Sequence, residues 1–196
     1  MVLAGERNVD DAREERFRRL FEESGARDDS DQVRATAAAY RQAYLAARRP
    51  VDGALEVLAT LKPRVRVGIV SNNLLDEQQA KIRLCGFDPY VDALIVSEAV
   101  GVSKPDPAIF ARALEELGCF APDAVMIGDS WEADVEGARA AGIRPIWFNR
   151  AGRQAPAASH GVCEICTLAP MNALMFAIFH ADSPSDLGGG LRCASA

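Results

Sequence analysis

The sequence predicts an α/β protein in which a parallel β-sheet is covered by helices on both faces. From residue 50 onward, short apolar runs alternate with helical patterns, and glycines close three of those helices. The runs are apolar throughout rather than every second residue, which is typical of parallel strands buried on both faces. We therefore predict three layers, with the sheet in the middle.

The elements follow in order along the chain. Residues 9–49 predict two amphipathic helices, because apolar side chains recur every three or four positions and the pattern breaks around residues 25–30. A further helix is expected at 53–61. The expected strands are 65–70, 93–96, 124–127 and 145–148, and the helices between them are 74–84, 107–117 and 132–141. The Gly- and Ser-containing tail at 182–196 is expected to be disordered.

Composition and charge limit the classes of partner and the location that we expect. The 196 residues suffice for one sizeable core and a small additional module. The net charge is −6 and the acidic excess lies in residues 51–196, so neither nucleic acid nor an anionic membrane is an expected partner. We find no secretory signal and no apolar stretch long enough to span a bilayer, and we expect a cytoplasmic protein.

The cysteines offer a metal or redox hypothesis that we do not favour. Five cysteines, an odd number in a chain without a signal, predict reduced thiols rather than a disulfide framework. Cys163 and Cys166 form a CxxC pair shortly after His160, as in half of a zinc site. A structural zinc needs four ligands, and the sequence has no second CxxC. We interpret the pair as small residues on the core side.

Three loops after predicted strands carry polar residues. Ser71 and Asn72 follow the first strand, Lys104 the second and Asp129 the third. Because parallel strands deliver these loops to one edge of the sheet, we expect the side chains to converge. Ser71 or Asn73 could alternatively cap the next helix, and Asp106 before Pro107 is typical of a helix start. Lys104 is harder to explain locally, because the chain has three Lys against 19 Arg, and a compact ammonium suits contact with phosphate or carboxylate.

GDSWEAD pairs two carboxylates at the end of the third strand. Asp129 ends the strand, and Asp134 falls in the first turn of the next helix, whose side chains lean back towards that same loop. An acidic first turn that complements the helix dipole explains Asp134 alone but not the whole set. Oxygen ligands beside a phosphate site favour Mg²⁺, which needs few protein ligands.

Three motifs resemble one family. VGIVSNN, VSKPDPAIF and VMIGDSWEADVEGARAAGI occur in the order of the second, third and fourth motifs of the haloacid dehalogenase-like (HAD) hydrolases. The resemblance covers about residues 48–150, and residues 11–49 are similar to part of the helical cap of those enzymes. It implies a Rossmann-like core at 50–181 and an incomplete helical cap within 1–49.

The resemblance also implies an activity. Most members are Mg²⁺-dependent phosphatases that form an aspartyl-phosphate, so a small phosphorylated metabolite is the implied substrate. Ser71 and the backbone of Asn72 would hold the phosphoryl group, and Lys104 would neutralise charge. Asp129 would bind Mg²⁺, with Asp134 close by.

One feature of the family is not matched. Its first motif, DxDx[TV] after a buried strand, supplies the nucleophile and the acid/base. None of the Asp residues before Ser71 follows a predicted strand; they are Asp10, Asp11, Asp28, Asp29, Asp31 and Asp52. We therefore expect the nucleophile to be absent, together with a central strand that lies between the strands at 65–70 and 124–127 in that fold.

Two interpretations follow, and a third is disfavoured. The chain is either part of a longer phosphatase or a catalytically silent member with a binding or regulatory role. A response-regulator receiver domain also pairs a Ser or Thr with a Lys-Pro around an Asp. Its Lys-Pro precedes a closing helix, however, whereas Lys104 precedes GDSWEAD and a further strand.

Overall fold

A computed structural model describes residues 9–25, 29–156 and 159–180 of the chain. It begins with α1 (Val9–Glu23) and α2 (Ser30–Ala46), which pack against each other. Asp29 caps α2, because its side chain accepts hydrogen bonds from the N–H groups of Asp31 and Gln32. The two predicted amino-terminal helices are confirmed. The tail predicted to be disordered, 182–196, lies outside the described residues.

The remainder alternates strands and helices. In chain order these are α3 (Ala54–Leu61), β1 (Gly68–Ser71), α4 (Leu75–Leu84), β2 (Ala93–Val96), α5 (Ser97–Val100), α6 (Pro107–Leu117), β3 (Val125–Gly128), α7 (Gly137–Ala140), β4 (Arg144–Phe148), β5 (Cys163–Ile165) and α8 (Met171–Phe179). Short α5, strand β5 and helix α8 were not predicted. Asp106 caps α6, and Gly118 ends it with φ 60°.

Strand β1 begins later than predicted. The chain continues to turn after α3, since the N–H groups of Arg64 and Val65 both donate to the carbonyl of Leu61, at 2.8 and 3.0 Å. The N–H of Val67 then donates to the carboxylate of Asp92 at 2.8 Å. Ladder pairing therefore starts only at Gly68.

The predicted helix at 132–141 is two elements. A π-helical turn runs from Trp131 to Glu136 and is followed by α7. The N–H of Val135 donates to the carbonyl of Ser130, five residues back, at 3.2 Å. Apolar periodicity could not reveal this turn, because one wide turn changes the phase of only the few side chains beside it. Turns of this kind occur frequently at functional sites.

The parallel strands form two sheets, and they separate between β1 and β3, where we expected a central strand to be absent. β1 pairs with β2 in one sheet, and the order in the other is β3-β4-β5. Among the described residues, β1 and β3 each have one strand neighbour and do not pair with each other. The resemblance places another strand between these two, and the observed split is compatible with that arrangement.

Two apolar clusters cover the faces of β3. Val125 and Ile127 of β3 pack with residues of α3 and α8, whereas Met126 packs with residues of α6 and α7. Because successive side chains of a strand point to opposite faces, the clusters lie on opposite sides of β3. The second cluster also contains Val70 of β1 and Ile95 of β2, so α6 packs against both sheets.

The cysteines behave differently from one another. Cys163 is buried in the first cluster, as the core-side interpretation predicts. Cys166 is disulfide-bonded, so the prediction of reduced thiols is wrong for this residue. An odd number of cysteines does not report which sulfur atoms the fold brings within bonding distance. As to membranes, none of the described helices combines the length and apolar character needed to cross a bilayer.

Candidate active site

The ammonium of Lys104 connects the carboxyl ends of β1 and β3. Its Nζ donates to the carbonyl of Val70 and to the carboxylate of Asp134, both at 2.7 Å. Val70 belongs to β1, and Asp134 lies in the π-helical turn that follows β3. The carboxyl ends of β1 and β3 therefore lie close together, as expected for parallel strands whose following loops meet at one edge of the fold.

Asp134 is buried, and both of its carboxylate oxygens have partners. One carboxylate oxygen binds Lys104, and the other accepts the N–H of Ser130 at 2.9 Å. The side chains of Lys104 and Asp134 are 10% and 7% exposed. A buried pair of this kind is favourable only while both charges have their partners.

Gly128 makes room for the Asp134 side chain. A Cβ atom at residue 128 would lie 2.4 Å from both Cβ and Cγ of Asp134. No non-bonded carbon atoms approach so closely, so any other residue here would displace the carboxylate. The glycine and second aspartate of GDSWEAD are therefore required together.

Asn72 holds the Lys104 loop with its side chain. Its Oδ1 accepts the backbone N–H of Lys104 at 2.7 Å, and its Nδ2 donates to the backbone carbonyl of Lys104 at 2.9 Å. Sequence reasoning gave Asn72 only a backbone role. The two residues are 32 positions apart; parallel topology predicts that their loops converge, but it does not predict these two hydrogen bonds.

Ser71 lies at the end of β1 beside the buried amide of Gln78. The Ser71 hydroxyl and the Asn73 amide both donate to Oε1 of Gln78, at 3.4 and 3.3 Å. Ser71 does not cap α4; the carboxylate of Glu98 accepts the N–H of Leu75 instead, at 2.8 Å. Sequence reasoning missed Gln78, whose only signal is a polar residue on the buried side of a helix.

Asp129 is the exposed carboxylate of the set. It follows the last residue of β3, and its carboxylate makes no hydrogen bond or ion pair with any described residue. Its backbone carbonyl accepts the indole N–H of Trp147 at 3.3 Å. An accessible carboxylate at the end of a strand fits a hard cation such as Mg²⁺. Across the described ranges no three His, Cys, Asp or Glu side chains form a metal cluster.

The letters of the family's first motif do occur at Asp29-Ser30-Asp31-Gln32-Val33, but they form the start of α2. Asp29 caps that helix. The side chain of Asp31 is 91% exposed and pairs with Arg34 at 2.9 Å. Among the described residues, these aspartates follow helix α1 rather than a strand.

Known proteins resemble the chain over most of its length. Residues 4–142 match the sequence profile of the haloacid dehalogenase-like hydrolases. The pyrimidine 5'-nucleotidase YjjG of Escherichia coli is 34% identical over 128 residues, covering 64% of this chain and 55% of the relative. The phosphoserine phosphatase of Thermus thermophilus is 34% identical over 142 residues, covering 70% and 55%. The chain spans about half the length of the curated relatives that it matches.

A solved structure shows the same fold. The magnesium-bound HAD-hydrolase YfnB of Bacillus subtilis superposes with a TM-score of 0.71 at 26% identity. The match covers 87% of this chain and 74% of that protein.

Proposed function

The chain belongs to the haloacid dehalogenase-like hydrolases, and on that premise we propose that it carries the phosphate- and Mg²⁺-binding part of a phosphatase for small phosphate monoesters. The observation that supports this most directly is the Lys104 ammonium, which joins the ends of β1 and β3. In this proposal residues 50–181 form a Rossmann-like core and residues 1–49 form a partial helical cap. The relatives YjjG and phosphoserine phosphatase are named for phosphorylated substrates.

The described residues would act by position and charge. The Ser71 hydroxyl and the backbone N–H of Asn72 would donate to oxygens of the phosphoryl group, and the Lys104 ammonium would offset its negative charge. Asp129 would hold Mg²⁺, with Asp134 close by. Mg²⁺, when bound, supplies positive charge to the phosphate oxygens.

These groups do not complete the covalent route. That route needs one carboxylate to attack phosphorus and a second to protonate the leaving oxygen. In the structure, Lys104 and Asp134 are each other's partners, and Asp29 and Asp31 begin a helix. We therefore propose that none of the described aspartates serves as the attacking carboxylate and that the chain alone does not turn over.

Phosphate release from a generic monoester tests the proposal. The chain alone should show no Mg²⁺-dependent turnover above that of Asp129→Ala. The same chain fused to a strand ending in DxDx[TV] should gain turnover, and Lys104→Ala in that fusion should abolish it.

Two other results would decide against this assignment. Robust Mg²⁺-dependent turnover by the unfused chain, lost on Asp129→Ala, would show that the nucleophile lies within it. A folded fusion that binds inorganic phosphate without turnover would favour the catalytically silent binding protein.

A further inference from the structure

The two tryptophans of the chain lie together beside the loop that carries Asp129. Their ring centroids are 5.1 Å apart, with the rings edge to face at 80°. Trp147, in β4, is 2% exposed and packs with Val135 and Val162. Its indole N–H donates to the backbone carbonyl of Asp129, whereas the indole N–H of Trp131 donates to Glu136 at 3.1 Å. The two indoles therefore share one cluster but have different hydrogen-bond partners.

The carbonyl of Asp129 has left the strand ladder. β3 ends at Gly128, which is paired in register with Trp147. The N–H of Asn149, the second residue after Trp147, donates to the carbonyl of Ile165 in β5 at 2.8 Å. The Trp147 side chain thus provides a hydrogen bond to Asp129 where the ladder has ended.

We propose that Trp147 is a positioning residue for Asp129 as a Mg²⁺ ligand. The indole N–H fixes the backbone of Asp129 and thereby limits the directions that its exposed carboxylate samples. A loop carboxylate that is ordered before the cation arrives loses less conformational entropy on binding. The inference rests on the proposed function, because it takes Asp129 to be the Mg²⁺ ligand.

Groups that orient a metal ligand typically affect metal affinity by about 10- to 100-fold. The bond here is uncharged and reaches the ligand residue through its backbone. We therefore expect an effect near the lower end, about 10-fold.

The test compares two single-tryptophan variants, Trp147→Phe and Trp131→Phe, by calorimetric titration with Mg²⁺. Both remove an indole from the same cluster, and Trp147→Phe should lose more packing because Trp147 is buried whereas Trp131 is partly buried. Only Trp147→Phe removes the hydrogen bond to Asp129. We expect Trp147→Phe to weaken Mg²⁺ binding about 10-fold and Trp131→Phe to leave it within about 2-fold of the unmodified chain.

A spectroscopic signal separates positioning from packing. In Trp131→Phe the remaining indole is the one bonded to Asp129, so its ¹⁵N–¹H signal should move during the Mg²⁺ titration with the midpoint found by calorimetry. Replacing Trp147 with 3-benzothienylalanine, which has the same shape without the N–H, should reproduce the loss of affinity. This replacement also serves if Trp147→Phe does not fold.

The outcomes are distinct. Equal Mg²⁺ affinity with and without the N–H, or equal loss in both phenylalanine variants, would overturn the role of Trp147 while leaving the proposed function intact. A folded, unmodified chain that binds no Mg²⁺ would refute Asp129 as the metal ligand and would take this inference with it.

Discussion

At the residue scale, the site depends on side chains that fix the positions of other site residues. Asn72 binds both backbone polar groups of Lys104, and Lys104 in turn joins Val70 to Asp134. The Asn72–Lys104 and Lys104–Val70 contacts join loops and strand ends of the β1-β2 sheet, and the Lys104–Asp134 contact links that sheet to the turn after β3. Replacing one of these residues should therefore alter its neighbour's position before it alters any direct contact with a ligand.

Asn72→Ala should release the Lys104 loop. It removes two hydrogen bonds, each worth about 1 kcal/mol, so the free energy of unfolding should fall by up to about 2 kcal/mol. Because the chain has three lysines, the side-chain NMR signals of lysine can be resolved individually. Only the Lys104 signal should move.

Asn72→Asp is the matched control for this change. It keeps the acceptor for the Lys104 N–H but loses the donor to the Lys104 carbonyl, and we expect an intermediate effect. Unchanged Lys104 signals in both variants would contradict the holding role of Asn72.

Asp129 and Asp134 should differ in their contributions to Mg²⁺ binding and stability. Asp129→Ala should remove most Mg²⁺ binding with little loss of stability, because its carboxylate is exposed. Asp134→Ala should weaken binding less but destabilise the fold by about 3–5 kcal/mol, because it leaves the buried Lys104 charge unpaired.

Calorimetry with Mg²⁺ and denaturation with urea measure the two effects. Equal loss of Mg²⁺ binding in the two variants would refute the assignment of Asp129 as the main ligand. Equal loss of stability would show that the Lys104–Asp134 pair contributes nothing specific.

At the element scale, the strands differ in how many neighbours they have. β4 is paired on both sides, whereas β1 and β3 each have one partner strand within the described ranges. All four residues of β1 and of β3 are half-buried rather than buried. A strand edge without a partner exposes backbone N–H groups that exchange with solvent and can pair with another chain.

Amide hydrogen exchange should rank the strands accordingly. We expect the amides of β4 to exchange most slowly and those of β1 and β3 faster, with β4 serving as the internal control. Slow exchange throughout β1 and β3 in a demonstrated monomer would show that these edges need no further partner.

At the scale of the whole molecule, the helices join the two sheets into one folding unit. The cluster around α6 contains Val70, Ile95 and Met126, which come from three strands in both sheets. Phe110 of α6 is 1% exposed at its centre. We therefore expect cooperative unfolding, because neither sheet by itself would keep its apolar face buried.

Phe110→Ala should lower the free energy of unfolding by about 3–5 kcal/mol. Tryptophan emission reports the β3-β4-β5 sheet, and amide exchange of β2 reports the other sheet. Both should be destabilised together in urea. Loss of protection confined to one sheet would show that the sheets unfold independently.

The sequence by itself determined the type and order of most elements. Apolar runs, capping residues and closing glycines act over a few positions, so Asp106 before Pro107 and Gly118 marked α6 at both ends. The motif order led to the family, and parallel topology led to the expectation that the Ser71, Lys104 and Asp129 loops share an edge. The roles of those residues remain predictions.

Only the tertiary structure decided which side chains meet. Asn72 and Lys104 are 32 positions apart, and Trp147 lies 18 positions after Asp129. The π-helical turn at Asp134 likewise depends on one shifted hydrogen bond. The local sequence pattern contains no information about contacts between distant residues. Such contacts form only when the packed helices and strands bring those residues together.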